Sequence, residues 1–208
     1  MAGEVIFLEE HARWLLVLHT ALAVAAVGAA THLALWMRGY WRGQFARHRA
    51  VRRFSLLVLA LHGAAFLAGN AMYPTYRVRV RAEFLENPTA VATQTAAIAQ
   101  ARAQLAQASA QEPAQEPAQE LDSREASRAQ ALAAARAARW FDVKEHWLAM
   151  GLFAAAALAW LLWRWDPRRD GPDSAVIGPM AALLAVCVAL TLWSGAVIGV
   201  LTSAWRAV

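Results

Sequence analysis

Four long apolar stretches constrain this chain more than any other feature of its sequence. Each comes close to or exceeds the ~20 helical residues needed to cross the ~30 Å hydrocarbon core of a bilayer. The stretches are Trp14–Trp36, Phe54–Tyr73, His146–Trp163 and Val176–Ala204. A segment in lipid must satisfy its own backbone hydrogen bonds, so we expect four helices. The predicted fold is an all-α integral membrane protein, an antiparallel bundle of four transmembrane helices.

Composition agrees with a lipid bilayer as the main partner. Hydrophobic residues make up 59% of the chain and charged residues 17%, below the ~25% charged residues of soluble domains. The net charge of +5 does not indicate a nucleic-acid partner, because the arginines are concentrated next to the apolar stretches. Six of them lie in one short loop without an acidic residue: Arg38, Arg42, Arg47, Arg49, Arg52 and Arg53.

The arginines also predict the topology. The 38–53 loop is strongly basic, and the 164–174 connection carries three arginines, so both are expected inside under the positive-inside rule. The N- and C-termini are then outside, and the long 74–145 segment is extracytoplasmic. Because the chain is rich in arginine and alanine, we expect a bacterial cytoplasmic (inner) membrane.

The chain divides into an N-terminal helix pair (1–73), an extracytoplasmic segment (74–142) and a C-terminal helix pair (143–208). Pro74 is expected to end the second span, and the alternation of Arg and Val after it predicts an extended segment over 73–84. Asp142 and Glu145 resemble a capping box that would start the third helix.

Residues 89–139 are rich in Ala, Gln, Arg and Glu, which favour helices. We expect two helices, about 90–110 and 119–139, joined as a hairpin at the Gln-Glu-Pro-Ala repeat over 111–118. A partly disordered tether is the alternative, because large apolar residues are scarce here. In the fourth span, Gly195 and Gly199 form a GxxxG pair that permits close helix approach.

Four histidines within or beside the spans are the candidate functional residues: His19, His32, His62 and His146. Ionisable residues inside a membrane span are rare, and each suggests a function. Neutral imidazole binds haem iron and other transition metals, so haem b is the expected cofactor. The alternative is structural, since interior histidines also donate hydrogen bonds to carbonyl and hydroxyl groups of neighbouring helices.

Depth along the helices decides which histidines could pair. At ~1.5 Å per residue, His19 and His146 differ in depth by about 5 Å, so they are the expected axial ligands of one haem. His32 and His62 differ by about 8 Å and form a second, looser candidate pair. His11 and His48 lie outside the spans and are expected to be solvated.

Three arginines follow the second span at alternate positions, Arg77, Arg79 and Arg81. Guanidinium groups bind carboxylates and carbonyl oxygens well, so they could contact haem propionates, a quinone or an acidic partner. The alternative is that they cover lipid phosphates at the membrane surface.

The span number, together with His19, His62 and His146, resembles the four-helix b-type cytochrome subunits that anchor membrane oxidoreductases and pass electrons to quinone. The long segment between the second and third spans departs from those compact subunits, and we infer no membership.

The expected function is a small membrane subunit of a respiratory or redox complex. It would pass electrons between an extracytoplasmic partner and quinone, beside other subunits. The alternative is a non-catalytic scaffold or assembly subunit that docks a partner through the hairpin. A third possibility, a sensor, has little cytoplasmic sequence for an output. Motifs typical of self-contained enzymes, such as Walker loops, HExxH and GxGxxG, do not occur in the sequence.

Overall fold

A computed structural model describes residues 6–109, 119–169 and 171–203, and all regular secondary structure in these ranges is helical. The main elements are α1 (Ala12–Met37), α2 (His48–Thr75), a π-helix (Tyr76–Leu85), α3 (Pro88–Ser109), α4 (Gln119–Arg164) and α5 (Ser174–Ser203). The described residues include four helical segments long and apolar enough to cross a membrane. They are Glu9–Arg42, His48–Leu85, Gln130–Arg164 and Ser174–Thr202. These segments confirm the expected helices and indicate a multi-pass membrane protein.

The four apolar helices share one buried core, which we call the interhelical core. Helix α1 packs against α2 and α5, while α4 packs against α5 and α2. Alanine occupies many of the closest positions, including Ala26 and Ala30 on α1 and Ala155 on α4. Side chains this small let helix backbones approach closely, which is the main source of helix attraction in lipid. The wider parts of the core are filled by larger side chains such as Leu33 and Leu158.

Helices α4 and α5 interlock through small residues at regular intervals. A Cβ atom added at Gly195 would lie 2.7 Å from the Leu148 side chain, and one added at Gly199 would lie 3.1 Å from Nζ of Lys144. From Gly195 to Gly199 the contacting residue on α4 moves back by four positions, from Leu148 to Lys144. The two helices therefore run in opposite directions. The GxxxG pair therefore makes the close approach that its sequence predicts.

The prediction that Pro74 ends the second span is wrong, and so is the extended segment after it. Helix α2 continues through Pro74 to Thr75 and leads directly into the π-helix Tyr76–Leu85. Proline is tolerated in spanning helices where local widening re-satisfies the freed backbone groups. In the π-helix the Glu86 N–H donates to the Arg81 carbonyl five residues earlier, as that helix type requires.

Asp142 does not start the third span. Helix α4 runs without interruption over 46 residues, so the boundary expected between 142 and 143 lies inside it. The carboxylate of Asp142 accepts a hydrogen bond from Arg81 Nη1 at 2.7 Å, and its carbonyl accepts one from His146 Nδ1. Asp142 is a mid-helix residue because neither proline nor glycine lies between the start of α4 at Gln119 and this position.

Two helices occupy the hairpin region, as predicted. Helices α3 and α4 pack against each other, and the Thr95 hydroxyl donates a hydrogen bond to the Gln130 side chain. At the base, Leu85, Val91 and Ala134 belong to a second buried cluster. The proline repeat over 111–118 lies outside the described residues.

The opposite end of the four helices is closed by an aromatic cluster of Tyr40, Phe45, His48 and Trp165. The Nε2–H of His48 donates to the Trp165 carbonyl at 3.0 Å, because a carbonyl can only accept. His48 Nδ1 therefore accepts from the Tyr40 hydroxyl at 3.0 Å. The expectation that His48 is solvated is wrong, since this side chain joins the α1–α2 connection to the end of α4.

Tyr40→Phe should lower the free energy of unfolding by about 1–3 kcal/mol, because it leaves the His48 acceptor without its partner in a buried site. Thermal unfolding of the purified protein in detergent measures this loss. Tyr73→Phe is the matched control, since the Tyr73 hydroxyl makes no hydrogen bond to a described residue. Equal melting temperatures for the two variants would show that the Tyr40–His48 bond does not stabilise this end.

Candidate functional site: the interior histidines

His62 is the most enclosed of the histidines. It projects from α2 and is 2% exposed. A Cβ atom added at Gly151 of α4 would lie 3.2 Å from Cε1 of His62. The Leu148 carbonyl lies near the ring, but neither ring nitrogen makes a well-aligned hydrogen bond to a described residue. A buried polar group without a partner is unusual enough to require an explanation.

His19 lies between α1 and α2 and has a defined tautomer. Its Nδ1–H donates to the Ala65 carbonyl at 2.9 Å, so Nε2 carries a lone pair. The ring packs against Gly69, where an added Cβ would lie 3.2 Å from Cε1. A histidine that donates one N–H to a carbonyl and keeps the other nitrogen bare has the arrangement typical of metal ligands.

The separation between His19 and His62 prevents them from binding one metal together. Ala65 and Gly69, which contact His19, follow His62 by three and seven residues on the same helix. Three and seven residues correspond to about 5 and 10 Å of helix rise, so the two rings lie at different levels along α2. Two axial imidazoles must face each other across one iron, and these do not.

The other two histidines lie on exposed faces. His32 is exposed and packs against Trp36 and Phe54, with ring centroids 4.5 and 5.6 Å away. His146 is exposed on α4, and its Nδ1 bonds to the Asp142 carbonyl of its own helix. The structure therefore does not place His146 opposite His19, or His32 opposite His62. Haem binding by either pair stays a prediction, and it would require the helices to rotate.

Two of the three arginines of the π-helix form ion pairs with acidic residues of this chain. Arg79 forms ion pairs with Glu9 and Glu83, at 2.7 and 2.8 Å. Arg81 forms ion pairs with Glu86 and Asp142, both at 2.7 Å. Arg77 is exposed and belongs to none of the ion pairs of the described chain. Of the three arginines expected to contact a cofactor, Arg79 and Arg81 are therefore already paired, whereas Arg77 is a single exposed arginine without a second unpaired arginine on its helix turn.

Lys144, the single lysine of the chain, was not among the residues expected to be functional. It projects from α4 against Gly199, with Nζ 5.2 Å from the centre of the Phe141 ring. Its charge acts on the His19 ring, and no ion pair among the described residues includes it. Because every other lysine or arginine position of the chain is arginine, this lysine could have been singled out from the sequence.

Neither a protein-family model, nor a curated protein, nor a solved structure matches this chain. Function must therefore be argued from the residues and their geometry. Among the described residues, no group of three or more His, Cys, Asp or Glu side chains is placed so that it could hold a metal ion.

Gly151→Ala should destabilise the helices around His62 by about 1–3 kcal/mol through overpacking. The added Cβ would overlap Cγ2 of Thr191 and press on the His62 ring. Gly28→Ala on α1 is the matched control, because an added Cβ there meets nothing within 4 Å. Thermal unfolding compares the two, and the double variant with Thr191→Ser should recover part of the loss. An unchanged melting temperature in Gly151→Ala would contradict this packing.

Proposed function

We propose that this protein is a membrane scaffold or assembly subunit that docks another subunit of its complex through the hairpin of α3 and α4. The observation that carries the proposal is the continuity of α4. A helix of 46 residues is about 69 Å long, whereas a bilayer core is only ~30 Å thick. The half of α4 that leaves the apolar core therefore forms one rigid body with the half that spans it.

The base of the hairpin is braced against the end of α2. Arg81 of the π-helix forms its ion pair with Asp142 of α4, and Tyr76 stacks on Phe141 with ring centroids 3.9 Å apart. The buried cluster at Leu85 adds apolar contact between the same elements. These contacts fix the direction in which the hairpin projects, as a docking element requires.

The projecting hairpin presents apolar side chains to its surroundings. Ile98 on α3 and Leu132 and Trp140 on α4 are exposed. Aromatic residues are enriched at protein interfaces, and exposed apolar patches often mark interaction sites. A rigid helical arm with these residues suits protein contact better than it suits a small-molecule reaction.

Orientation is part of the proposal. We infer an antiparallel four-helix bundle in a bacterial inner membrane, with both termini and the hairpin outside. The support is the placement of the basic 38–53 segment at the end of α1 and the start of α2, opposite the hairpin.

Leu132→Arg should release the protein from its complex, because a charge on the hairpin would oppose an apolar contact. Blue-native electrophoresis of gently solubilised native membranes measures the size of the assembly. Gln104→Arg, which adds the same charge at an exposed polar position of α3, should leave the assembly intact. A wild-type protein that migrates as a lone chain, or equal assembly in both variants, would contradict the docking function.

Electron transfer with haem b is the second candidate function, and the buried, unpartnered ring of His62 favours it. The offset of the histidine rings along α2 does not fit a haem held by two imidazoles, as described above. Quinone contact through Arg79 is also opposed by its ion pairs with Glu9 and Glu83.

An absorption spectrum separates the two candidates. A reduced-minus-oxidised Soret and α-band signal in protein purified without cofactor stripping would establish a cytochrome. That signal should disappear in His62→Ala and persist in His32→Ala, because His32 lies on an exposed face. A folded, colourless protein is the result we expect if docking is the function.

A further inference from the structure

The arginines at the two ends of the molecule differ in whether they form ion pairs. Every ion pair among the described residues involves Arg79 or Arg81, at the hairpin end. At the other end lies a group that we call the basic cluster, and none of its members forms an ion pair within the described chain. The basic cluster consists of Arg38, Arg42, Arg47, Arg49, Arg52 and Arg53.

The basic cluster is held in place by the aromatic cluster beneath it. Phe45, between Arg42 and Arg47, packs edge-on against Tyr40 and Trp165, with ring centroids 5.0 and 5.2 Å away. A Cβ added at Gly178 of α5 would lie 2.8 Å from the Phe45 ring. The connection is therefore packed on the ends of α4 and α5, which positions the backbone that carries its arginines.

Three of these arginines share one face at the start of α2. Arg49, Arg52 and Arg53 are three and four residues apart, and like charges at this spacing repel each other. They also lie in the first turns of the helix, where the macrodipole disfavours cations. Because these arginines form no ion pair within the described chain, an anion from outside the chain would stabilise the arrangement.

Arg52 joins α2 to α4 at the edge of the membrane-spanning region. Its guanidinium carbon lies 4.6 Å from the centre of the Trp163 ring, a cation–π contact. Its Nε is buried and has no hydrogen-bond partner among the described residues. Trp163 is 55% exposed and lies next to the end of α4, where tryptophan marks the headgroup level.

Apolar side chains continue from this contact into the span. Leu56 follows Arg52 by one turn on α2, and Trp160 precedes Trp163 by one turn on α4. Both are exposed. Leu56 lies on the same face of α2 as Arg52, and Trp160 lies on the same face of α4 as Trp163. An anion that enters here has cationic groups at the headgroup level and an apolar wall one turn deeper.

We propose that Arg49, Arg52, Arg53 and Trp163 form a binding site for the phosphate of an anionic phospholipid, with an acyl chain along Leu56 and Trp160. Guanidinium groups bind phosphate oxygens with two parallel hydrogen bonds. The apolar wall distinguishes a lipid from free phosphate, which would gain nothing from it. Basic sites between spanning helices are suited to lipids of this kind.

Native mass spectrometry of the full chain in detergent tests the site with phosphatidylglycerol and phosphatidylcholine as probes. We expect the wild type to retain phosphatidylglycerol at least tenfold more tightly. Arg52→Gln should weaken that binding about fivefold, as expected for one arginine at a lipid surface, and the triple variant with Arg49→Gln and Arg53→Gln should abolish the preference. Arg77→Gln, which removes an exposed arginine of the π-helix, should leave the affinity unchanged.

Two further measurements test the identity of the ligand and the contact at Trp163. Millimolar inorganic phosphate should not displace phosphatidylglycerol, and displacement would overturn the lipid assignment. Trp163→Leu keeps every charge but removes the stack, and it should also weaken binding. Equal loss in Arg52→Gln and Arg77→Gln, or equal retention of both lipids by the wild type, would overturn the site. Arg52→Lys, which keeps the charge, replaces Arg52→Gln if that variant does not fold, and it should bind phosphatidylglycerol more weakly than the wild type.

Discussion

Backbone hydrogen bonding within hydrocarbon is the constraint on which the rest of this structure depends. It accounts for the passage of α2 through Pro74, because an extended segment at that depth would expose its peptide groups. The π-helix that follows keeps these groups bonded and directs Arg79 toward Glu9 and Arg81 toward Asp142. The same constraint favours an unbroken α4, which carries helical hydrogen bonding from the apolar core into the hairpin. The continuity of α4, on which the proposed docking function rests, thus follows from the need to keep backbone groups hydrogen-bonded in lipid.

Electrostatics divides the molecule along the same axis. At the hairpin end, acids of the chain neutralise the arginines that would otherwise attract anions, so this surface is available for protein contact. At the opposite end, the arginines of the basic cluster form no ion pair within the described residues, and we propose that their charge binds an anionic lipid. Surface ion pairs of this kind contribute little to stability, so their main effect is on which partners can approach. A protein partner at one end and a lipid at the other are therefore compatible within one chain.

The four long apolar stretches predicted the four apolar helices well, because about twenty residues with few charges can cross a bilayer only as a helix or strand with its backbone bonded. The helices of the hairpin were also predictable from Ala and Gln. The segment after Pro74 was not, since alternating Arg and Val fits a strand as well as a π-helix, and the acids that pair with its arginines, Glu9 and Asp142, come from distant positions. His48 was missed for a similar reason: its partners, Tyr40 and Trp165, come from two other parts of the chain. Depth estimates placed the histidines along the axis but could not give the rotation of each helix, which turns His146 outward.

The packing around His62 bears on the choice between the two candidate functions. A haem held between helices needs an enclosed space beside its ligands, whereas the neighbourhood of His62 is so close-packed that Gly151 has no room for a methyl group. Small residues on both sides of the α4–α5 contact give this packing, and in lipid such contacts supply much of the attraction between helices. Opening the site for a porphyrin would separate the helices whose contact fixes the direction of the hairpin. The missing hydrogen-bond partner of His62 favours a cofactor, whereas the close packing around the ring would have to open to admit a porphyrin.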